Sequence, residues 1–300
     1  MNFLLANDTR GSVRGEHWGS WLTTTNLEQL LSRVGLTIAD RLPLGRLKPV
    51  EAVWKRIEKA GMLVINGEGS VHSGTPTAVA LLNSLKMARE RNVRVWIVNH
   101  GCWNCDELIE MYKYADFIAV RDVASFGYLA QHGISARLAA DCSFLSAPAQ
   151  AARRNQLLVC SGLKPPEDSV VRRWARELKC SRIVLSNDFY PRFSGKKTAK
   201  SGSAEESFRM IASSRFVISS SFHGCIFAAI HAIPFLPVQV SGQPAKTMVA
   251  AVEAMGRHAQ GVCFEGPGYV NAKCDEIQHE MRERARWLRK RASFNVPANS

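Results

Sequence analysis

Residues 215–236, RFVISSSFHGCIFAAIHAIPFL, decide the fold class. RFVIS (215–219) predicts a buried strand, the apolar run from His223 to His231 predicts a helix, and PFLPV (234–238) predicts the next strand. A strand, a helix and a second strand in this order are typical of a parallel sheet that is covered by helices. The stretch therefore indicates an α/β fold in which a helix begins directly after the end of a strand.

The same alternation of strands and helices runs through the rest of the chain. In the first half, strands are predicted at 2–6, 37–39, 62–66, 93–99, 116–120 and 136–139, and helices near 21–34, 50–59, 76–91, 106–114 and 124–132. Residues 148–155, PAQAARRN, are polar and Ala-rich, which predicts a linker. In the second half, strands are predicted at 156–162, 182–186, 215–219 and 234–238, helices near 168–179, 205–212, 223–231 and 245–255, and a long polar loop at 187–203.

Two such series joined by a short linker predict two domains. We expect an α/β fold of two Rossmann-like, doubly wound domains, at residues 1–148 and 156–272, which face each other across a cleft. A basic C-terminal helix and tail follow at 273–300. The helix, predicted near 274–291, is long enough to cross back to the first domain.

The chain is strongly basic. Among its 300 residues, 39 Lys and Arg against 26 Asp and Glu give a formal net charge of +13, which favours anionic partners. Residues 281–293 hold six basic side chains on a predicted amphipathic helix, which can be a solvated face or a surface that docks to an anionic membrane. Nucleic acid is not expected as a partner, because the basic residues are not interleaved with an aromatic platform.

The lack of a predicted targeting segment and the pattern of cysteines indicate the cellular compartment. No apolar run approaches the roughly 18 residues of a membrane span, and the first residues do not sustain a signal-peptide core, so we expect a soluble, cytoplasmic protein. Six of the eight cysteines lie singly in apolar runs, as reduced buried thiols do. Cys102 and Cys105 form a CxxC pair, but the ligand spacing of a complete metal site is missing, so neither a metal nor redox chemistry is favoured.

Ligands of open α/β sheets collect at the carboxyl ends of strands, so the polar loops that follow the strands are candidate sites. In the first half these loops hold Asn7, Asp8, Trp18, Gly19, Asn66, Gly67, Glu68, Gly69, Ser70, His72, His100 and Arg121. The glycines beside Glu68 can hold its carboxylate at a strand tip to orient sugar hydroxyls or act as a general base; the alternative is a tight turn with a solvated Glu. Arg121 can bind phosphate or carboxylate, or form a structural pair with an Asp, and Asp141 is expected to cap or pair structurally. The first of these loops does not match GxGxxG, so a dinucleotide site is not supported.

In the second half, three serines and a histidine meet where a strand is followed by a helix. The serines at 219–221 and Gly224 place hydroxyl and amide donors at the start of a helix, beside the imidazole of His223. This arrangement predicts an anion site with an acid or base beside it; the alternatives are a Ser N-cap and a core histidine. His231 is expected to have a core or helix-end role, and Lys246 can complete the anion site or be an isolated surface lysine.

Several of these stretches together resemble the polysaccharide pyruvyl transferase family. They are, in the order of that family, INGEGSVH (65–72), DFIAVRDVASFGYLAQHGI (116–134) with the later Ala140 and Asp141, residues 215–236 and Lys246; Asn7, Asp8, His17, Trp18 and Gly19 are similar to its N-terminal loop. The resemblance covers about residues 2–256. It implies a glycosyltransferase-B type fold and the transfer of pyruvate from phosphoenolpyruvate to two hydroxyls of a sugar, as a ketal, usually on a cell-surface polysaccharide or its lipid-linked precursor.

The resemblance implies a role for His223, and taken together with the polar loops described above it gives the other expected site residues. His223 would be a general acid, and Glu68 would be a second catalytic group beside the sugar. Donor-binding residues would be Arg121, Lys164, Ser219, Ser220, Ser221, Gly224 and Lys246. Acceptor-binding residues would be Asn7, Asp8, Trp18, Gly19, Asn66, Gly67, Gly69, Ser70, His72 and His100. No metal is implied, and no cofactor besides phosphoenolpyruvate as co-substrate.

One position departs from the family pattern, which commonly has Arg two residues before the histidine, where this chain has Ser221. A neutral hydroxyl does not replace a bidentate guanidinium on phosphate, so either Arg121, Lys164 or Lys246 compensates, or the donor differs. The alternatives are a nucleotide-sugar-dependent glycosyltransferase of the same fold and a non-catalytic family member with a binding or scaffold role. In each case we expect the protein in the cytoplasm, with the inner face of the membrane as a place of peripheral contact.

Overall fold

The computed structural model describes residues 1–12, 15–152, 157–161, 181–185, 198–200, 203–219, 221–231, 233 and 235–237. These residues form two larger sheets, in which every strand pair is parallel. A short antiparallel ribbon of β2 (Gly11–Ser12) and β3 (Gly15–Glu16) lies apart from both. The parallel pairing agrees with the alternation of strands and helices along the chain.

The first sheet has six strands. In chain order they are β1 (Asn2–Asp8), β4 (Thr37–Pro43), β5 (Met62–His72), β6 (Arg94–Trp103), β7 (Phe117–Val120) and β8 (Arg137–Leu138). Their order across the sheet is β4-β1-β5-β6-β7-β8. Along β1, Phe3 and Leu5 enter one hydrophobic layer and Leu4 and Ala6 enter the other, so both faces of the sheet are buried.

Helices cover both faces of this sheet. They are α1 (Trp18–Arg33), α2 (Glu51–Ala60), α3 (Pro76–Glu90), α4 (Val123–Gln131) and the 3-10 helices Asp106–Tyr114 and Cys142–Leu145. Side chains of α1 join the layer of Phe3, and those of α2 and α3 join the opposite layer. The side chains of His17 and Asp122 cap α1 and α4 by accepting a hydrogen bond from the backbone N–H three residues on. Gly61, with φ of 79°, ends α2 in the left-handed conformation.

The second sheet is described in part. Its strands are β9 (Leu157–Ser161), β10 (Ser181–Val184), β11 (Thr198–Lys200), β12 (Phe216–Ser219) and β13 (Phe235–Pro237), in the order β11-β10-β9-β12-β13, with α5 (Ala204–Ala212) and α6 (Phe222–Ile230) beside them. One hydrophobic cluster contains Trp18 and Leu27 of α1 together with Phe208 of α5 and Phe227 of α6. The backbone N–H of Trp18 also donates to the carbonyl of Leu185 at 3.1 Å. Helix α1 is therefore packed against both halves of the chain.

The predicted α/β class and the alternation of elements are confirmed. Residues 67–72, predicted as a loop, instead continue β5, because Val71 pairs with Cys102 of β6 after a bulge. The predicted loop at 187–203 contains β11. The helices predicted near 168–179, 245–255 and 274–291 lie outside the described residues, and the predicted domain limits stay predictions. Within the part of the chain that the structure describes, no helix is long and apolar enough to cross a membrane.

Candidate functional site

A cluster of buried polar side chains lies toward the carboxyl ends of the strands of the first sheet. It contains Asn7 of β1, Asn66 and Glu68 of β5, Asn99 of β6, Arg121 directly after β7, and Asp141 after β8. Hydroxyl side chains of α1 cover this cluster from one side. His223, in the first turn of α6, reaches it from the second half of the chain. The cluster therefore forms where the two halves meet, at the edge that the alternation of strands and helices predicts for a ligand site.

His223 is held on several sides. It is 6% exposed, and its Nε2 lies 3.2 Å from Oγ1 of Thr23 on α1. Its ring packs so closely against Gly19 that a Cβ at that position would lie 2.2 Å from Cγ of His223. The ring of Phe222 meets it edge-on at 5.2 Å between centroids, and the ring of His17 lies at 5.4 Å. Gly19, predicted to contact the acceptor, thus has a direct packing role against the proposed general acid.

Burial decides the charge of His223. It lowers the pKa of the ring to about 3; His17 and Arg121 act in the same direction, and Asp141 opposes them. The ring is therefore neutral near pH 7. Burial likewise lowers the pKa of His17 to about 4, and Nδ1 of His17 accepts a hydrogen bond from the backbone N–H of Ser20 at 3.2 Å. An anion placed near these rings would favour their charged forms.

Arg121 and Asp141 form a buried ion pair, with 2.7 Å between Nη1 and Oδ2. The Asp141 carboxylate also accepts hydrogen bonds from the backbone N–H of Ser143 at 2.8 Å and from its hydroxyl at 2.6 Å. Burial opposes the ionisation of Asp141, but the Arg121 charge and the Ser143 hydrogen bonds keep its pKa below the ordinary value. The capping and pairing roles expected for Asp141 are confirmed.

The guanidinium of Arg121 keeps some capacity for a ligand. Its Cζ lies 4.1 Å from the centroid of the Phe222 ring, which places it beside the first turn of α6. Its Nε is buried and has no hydrogen-bond partner among the described residues. The structural pair offered as one interpretation of Arg121 is present, and anion binding through the remaining donors stays a prediction.

Glu68 lies inside β5 in a left-handed backbone conformation, with φ of 39°. It is 4% exposed and accepts hydrogen bonds from the hydroxyl of Thr9, from Ser20 at 2.9 Å and from the Asn66 amide at 3.0 Å. The alternative of a tight turn with a solvated Glu is therefore wrong. Burial raises the pKa of Glu68, which makes the carboxylate a stronger base than an exposed one.

Three asparagines connect neighbouring strands. The Asn7 amide donates to the Asn66 carbonyl at 2.6 Å and to the Ser70 hydroxyl at 3.1 Å, and the Asn99 amide donates to Oδ1 of Asn66 at 3.2 Å. Asn7 and Asn99 both have positive φ values, 62° and 55°, and Asn99 lies inside β6, where the pairing with β7 shifts register. Oδ1 of Asn7 is buried and lacks a partner among the described residues. This oxygen can accept a hydrogen bond from a sugar hydroxyl.

Other predicted site residues make packing contacts. Both ring nitrogens of His100 are engaged, by the Ala119 carbonyl at 3.0 Å and the Tyr112 hydroxyl at 2.9 Å, and burial lowers its pKa to about 3. A Cβ on Gly67 would lie 2.3 Å from Cβ of His100. The ring of His72 stacks on a neighbouring indole of β6, with 4.8 Å between the ring centroids and 5° between the ring planes. The acceptor contacts predicted for these three residues stay predictions.

The remaining predictions are distributed around the cluster. Asp8 pairs with Arg10 at 2.7 Å on the rim, and Trp18 is buried in the core. A Cβ on Gly69 would lie 3.6 Å from Nη2 of Arg121. Ser220, Lys164 and Lys246 lie outside the described residues.

The start of α6 is built by serines. Ser221 caps the helix by accepting a hydrogen bond from the Gly224 N–H at 3.4 Å, and Ser219 accepts one from the Ser221 N–H at 3.0 Å. A Cβ on Gly224 would lie 2.4 Å from Oγ of Ser219. The Ser N-cap is therefore present beside His223. At the far end of α6, His231 accepts a hydrogen bond from the Ala149 N–H at 3.0 Å in the core, which confirms its predicted core role.

Sequence reasoning missed the hydroxyls that complete the cluster. Ser20, Thr23 and Thr24 lie on one face of α1 at helical spacing, all buried, and Ser143 follows Asp141. A buried polar stripe on a helix is a signal that could have found them. Among the described residues, no group of three or more potential metal ligands comes together.

Comparisons with known proteins address the fold and the family. A protein-family model described as polysaccharide pyruvyl transferase matches residues 21–242. A search of curated proteins found no match. The solved structure of Methanocaldococcus jannaschii UDP-GlcNAc 2-epimerase in complex with UDP-GlcNAc and UDP has a TM-score of 0.56 at 11% identity, over 93% of this chain and 100% of that chain.

Two further solved structures are similar. A putative UDP-N-acetylglucosamine 2-epimerase from Listeria monocytogenes has a TM-score of 0.56 at 11% identity, over 90% of this chain and 94% of that chain. The S. aureus MnaA–UDP structure has a TM-score of 0.53 at 13% identity, over 94% of this chain and 91% of that chain. Likeness at such low identity concerns the fold alone. It confirms the predicted glycosyltransferase-B-like class of two Rossmann-like units.

Proposed function

The chain belongs to the polysaccharide pyruvyl transferase family, a family of transferases, and on that premise we propose that it moves pyruvate from phosphoenolpyruvate to a sugar. Two sugar hydroxyl oxygens form bonds to the central carbon of the donor, and the bond from that carbon to the phosphate oxygen breaks. The methylene carbon gains one proton, and phosphate leaves with the other. The product is a pyruvyl ketal on a cell-surface polysaccharide or its lipid-linked precursor.

The position of His223 carries this proposal. Its buried ring lies beside the Arg121–Asp141 pair, where the strand ends of the first half meet α6. Burial keeps the ring neutral, with a pKa of about 3, until a ligand brings negative charge. The phosphate and carboxylate of the donor would raise the pKa of the ring, and the imidazolium could then protonate the methylene carbon or assist the departure of phosphate.

Donor contacts follow from the groups around this ring. Arg121 offers Nε, which lacks a partner among the described residues, for a carboxylate or phosphate oxygen. Ser221 supplies a helix cap instead of the guanidinium that the family pattern commonly has at this position. We therefore propose that Lys164 and Lys246 contribute the remaining positive charge to the donor.

Glu68 and Asn7 fit the acceptor side of the reaction. The raised pKa of Glu68, caused by burial, suits a general base that removes a proton from a sugar hydroxyl. The unpartnered Oδ1 of Asn7 suits a hydrogen bond from such a hydroxyl. The two residues are linked through Asn66, to which both are hydrogen-bonded.

Thermal unfolding with candidate donors tests the proposal. A ligand at 100 times its Kd should stabilise the protein by about 2.7 kcal/mol. We expect a shift with phosphoenolpyruvate that is lost in His223→Gln and kept in His132→Gln, a matched change at the end of α4, away from the cluster. A shift with a nucleotide sugar alone would favour the glycosyltransferase alternative. A shift with neither class would favour a non-catalytic protein.

Residues 273–300 form a separate part of the proposal. Their basic side chains are proposed to contact an anionic membrane surface, where a lipid-linked acceptor would be found. Co-sedimentation with anionic liposomes should fall when these residues are removed. Equal sedimentation with neutral and anionic liposomes would contradict this contact.

A further inference from the structure

Two hydroxyl side chains lie between the Asp141 carboxylate and the ring of His223. Oγ of Ser143 is 2.6 Å from Oδ1 of Asp141, and Oγ1 of Thr23 is 2.6 Å from Oγ of Ser143. Nε2 of His223 is 3.2 Å from Oγ1 of Thr23. Thr23 and Ser143 are both fully buried. The series joins the 3-10 helix Cys142–Leu145, α1 and α6, so it connects the two halves of the chain through hydrogen bonds.

The order of these contacts fixes where the protons lie. The Asp141 carboxylate is ionised, because Arg121 pairs with it, and it can only accept hydrogen bonds. A separation of 2.6 Å between a hydroxyl and a carboxylate oxygen requires a proton between them, and only Ser143 can supply it. Ser143 has then used its single proton.

The same argument extends to the histidine. The contact of 2.6 Å between the two hydroxyls needs a proton, which Thr23 must supply. Oγ1 of Thr23 is also 3.3 Å from Oδ1 of Asp141, so its proton points toward the carboxylate side in either case. The hydrogen bond between Oγ1 of Thr23 and Nε2 of His223 therefore needs a proton on Nε2, with the Thr23 oxygen as the acceptor.

We propose that Asp141, Ser143 and Thr23 form a hydroxyl relay that keeps a proton on Nε2 of His223 and leaves Nδ1 as the nitrogen that takes up a second proton. The tautomer follows from the hydrogen bonds alone, and the role of Nδ1 in proton transfer rests on the proposed function. Nδ1 lies against the first turn of α1, where a Cβ on Gly19 would lie 2.4 Å from it. Thr23 and Ser143 are positioning residues in this scheme.

The relay also links the ring to a negative charge. When His223 takes up a proton, the Asp141 carboxylate stabilises the imidazolium through the two hydroxyls. Arg121 and His17 are the other titratable groups that act on the ring, and both oppose its charge. Removal of a relay hydroxyl should therefore make the ring harder to protonate and free to turn.

Nitrogen NMR of the full chain labelled with ¹⁵N-histidine reads the tautomer without any assay of activity. The His223 signals are assigned by their loss in His223→Gln. We expect the Nε2–H form in the wild type and in Thr23→Ser, and a mixture of forms in Thr23→Val, which has the same shape but no hydroxyl. An Nδ1–H form in the wild type, or an unchanged tautomer in Thr23→Val, would overturn the relay. Ser143→Ala keeps the direct contact of 3.3 Å from Thr23 to Asp141, so the Nε2–H form should persist in this variant to a greater extent than in Thr23→Val.

Kinetics with phosphoenolpyruvate test the consequence. Thr23→Val should lower kcat by about 10- to 100-fold with little change in KM for the donor, less than the 10²–10⁴ of general acid–base catalysis. The alkaline limb of its pH–rate profile, where the imidazolium loses its proton, should move to lower pH, and Thr23→Ser should restore both kcat and this limb. Thr25→Val on the same helix, at a partly exposed position, is the matched control. An altered tautomer with unchanged kcat would overturn the role of Nδ1, while failure of phosphoenolpyruvate as donor leaves the NMR result standing.

Discussion

Gly19→Ala places a methyl carbon where the ring of His223 now lies. A Cβ on residue 19 would stand 2.2 Å from Cγ and 2.4 Å from Nδ1 of His223, whereas ordinary contacts begin at 3.4 Å. The ring must withdraw by about 1 Å or more, or the first turn of α1 must move away from α6. Thr23 holds the opposite edge of the ring, so a small rotation of the side chain does not relieve the overlap.

Two effects of different size should follow. Overpacking of a buried contact costs about 1–3 kcal/mol, which lowers the Tm of a chain of this length by about 1.6 °C per kcal/mol. A displacement of about 1 Å of a reacting group can cost about 10²-fold in rate. Gly19→Ala should therefore reduce phosphate release from phosphoenolpyruvate far more than its modest loss of stability would do alone.

Gly127→Ala in α4 is the matched control, because an added Cβ there meets nothing within 4 Å. Alanine has the higher helix propensity, so this variant should keep its activity and maintain or raise its Tm. Calorimetric Tm without ligand and the rate of phosphate release with a polysaccharide acceptor are compared for both variants. If Gly19→Ala keeps the wild-type Tm and rate, the close approach of α1 to His223 plays no part in the site, and the reasoning is refuted.

Three further outcomes are expected. Asp141→Asn leaves Arg121 as a buried unpaired charge, so the free energy of unfolding in urea should fall by about 3–5 kcal/mol; a fall below about 1 kcal/mol would contradict the pair. Burial lowers the pKa of His100 from 6.5 to about 3, so the unfolded state takes up a proton at higher pH than the folded state does. The free energy of unfolding should therefore decrease as the pH is lowered from about 6.5 to about 3. In urea titrations, His100→Gln should flatten this slope by up to about 1.4 kcal/mol per pH unit, and an unchanged slope would exclude His100 as its source. Cys102, whose thiol pKa burial raises to about 12, and the buried Cys105 should react with iodoacetamide only after unfolding, as mapped by mass spectrometry; labelling of the native protein would contradict their burial.

The fold could be predicted because the central strands are buried on both faces. MLVI (62–65) and VWIV (95–98) are apolar throughout, as strands covered by helices on two sides must be. The end of β5 was missed because the glycines around Glu68 carry the signal of a turn. The backbone instead takes Glu68 through φ of 39° and pairs again at Val71. This bulge depends on the neighbouring strand β6, which the local pattern does not contain.

The site could be predicted in position but not in its connections. Strand ends and a helix start indicated Arg121 and His223, because both follow directly from the order of elements. The contact between Thr23 and His223 spans two hundred positions of the chain and depends on how α1 packs between the halves. Side-chain contacts of this kind follow from tertiary packing, and no spacing within one segment encodes them.

Among the described residues, the charges around His223 nearly cancel before a ligand enters. Arg121 is paired with Asp141, burial keeps the ring neutral by lowering its pKa to about 3, and Ser221 caps α6 where the family pattern commonly has Arg. Under the proposed function, a donor that carries a phosphate and a carboxylate meets little free positive charge besides that proposed for Lys164 and Lys246 until the ring takes up a proton. Because the anion favours the charged ring, donor binding and ring protonation stabilise each other. The proton that the methylene carbon needs is then acquired in the step that binds the donor, and Ser221 makes this coupling stronger, since a fixed guanidinium would have competed with the imidazolium for the same anion.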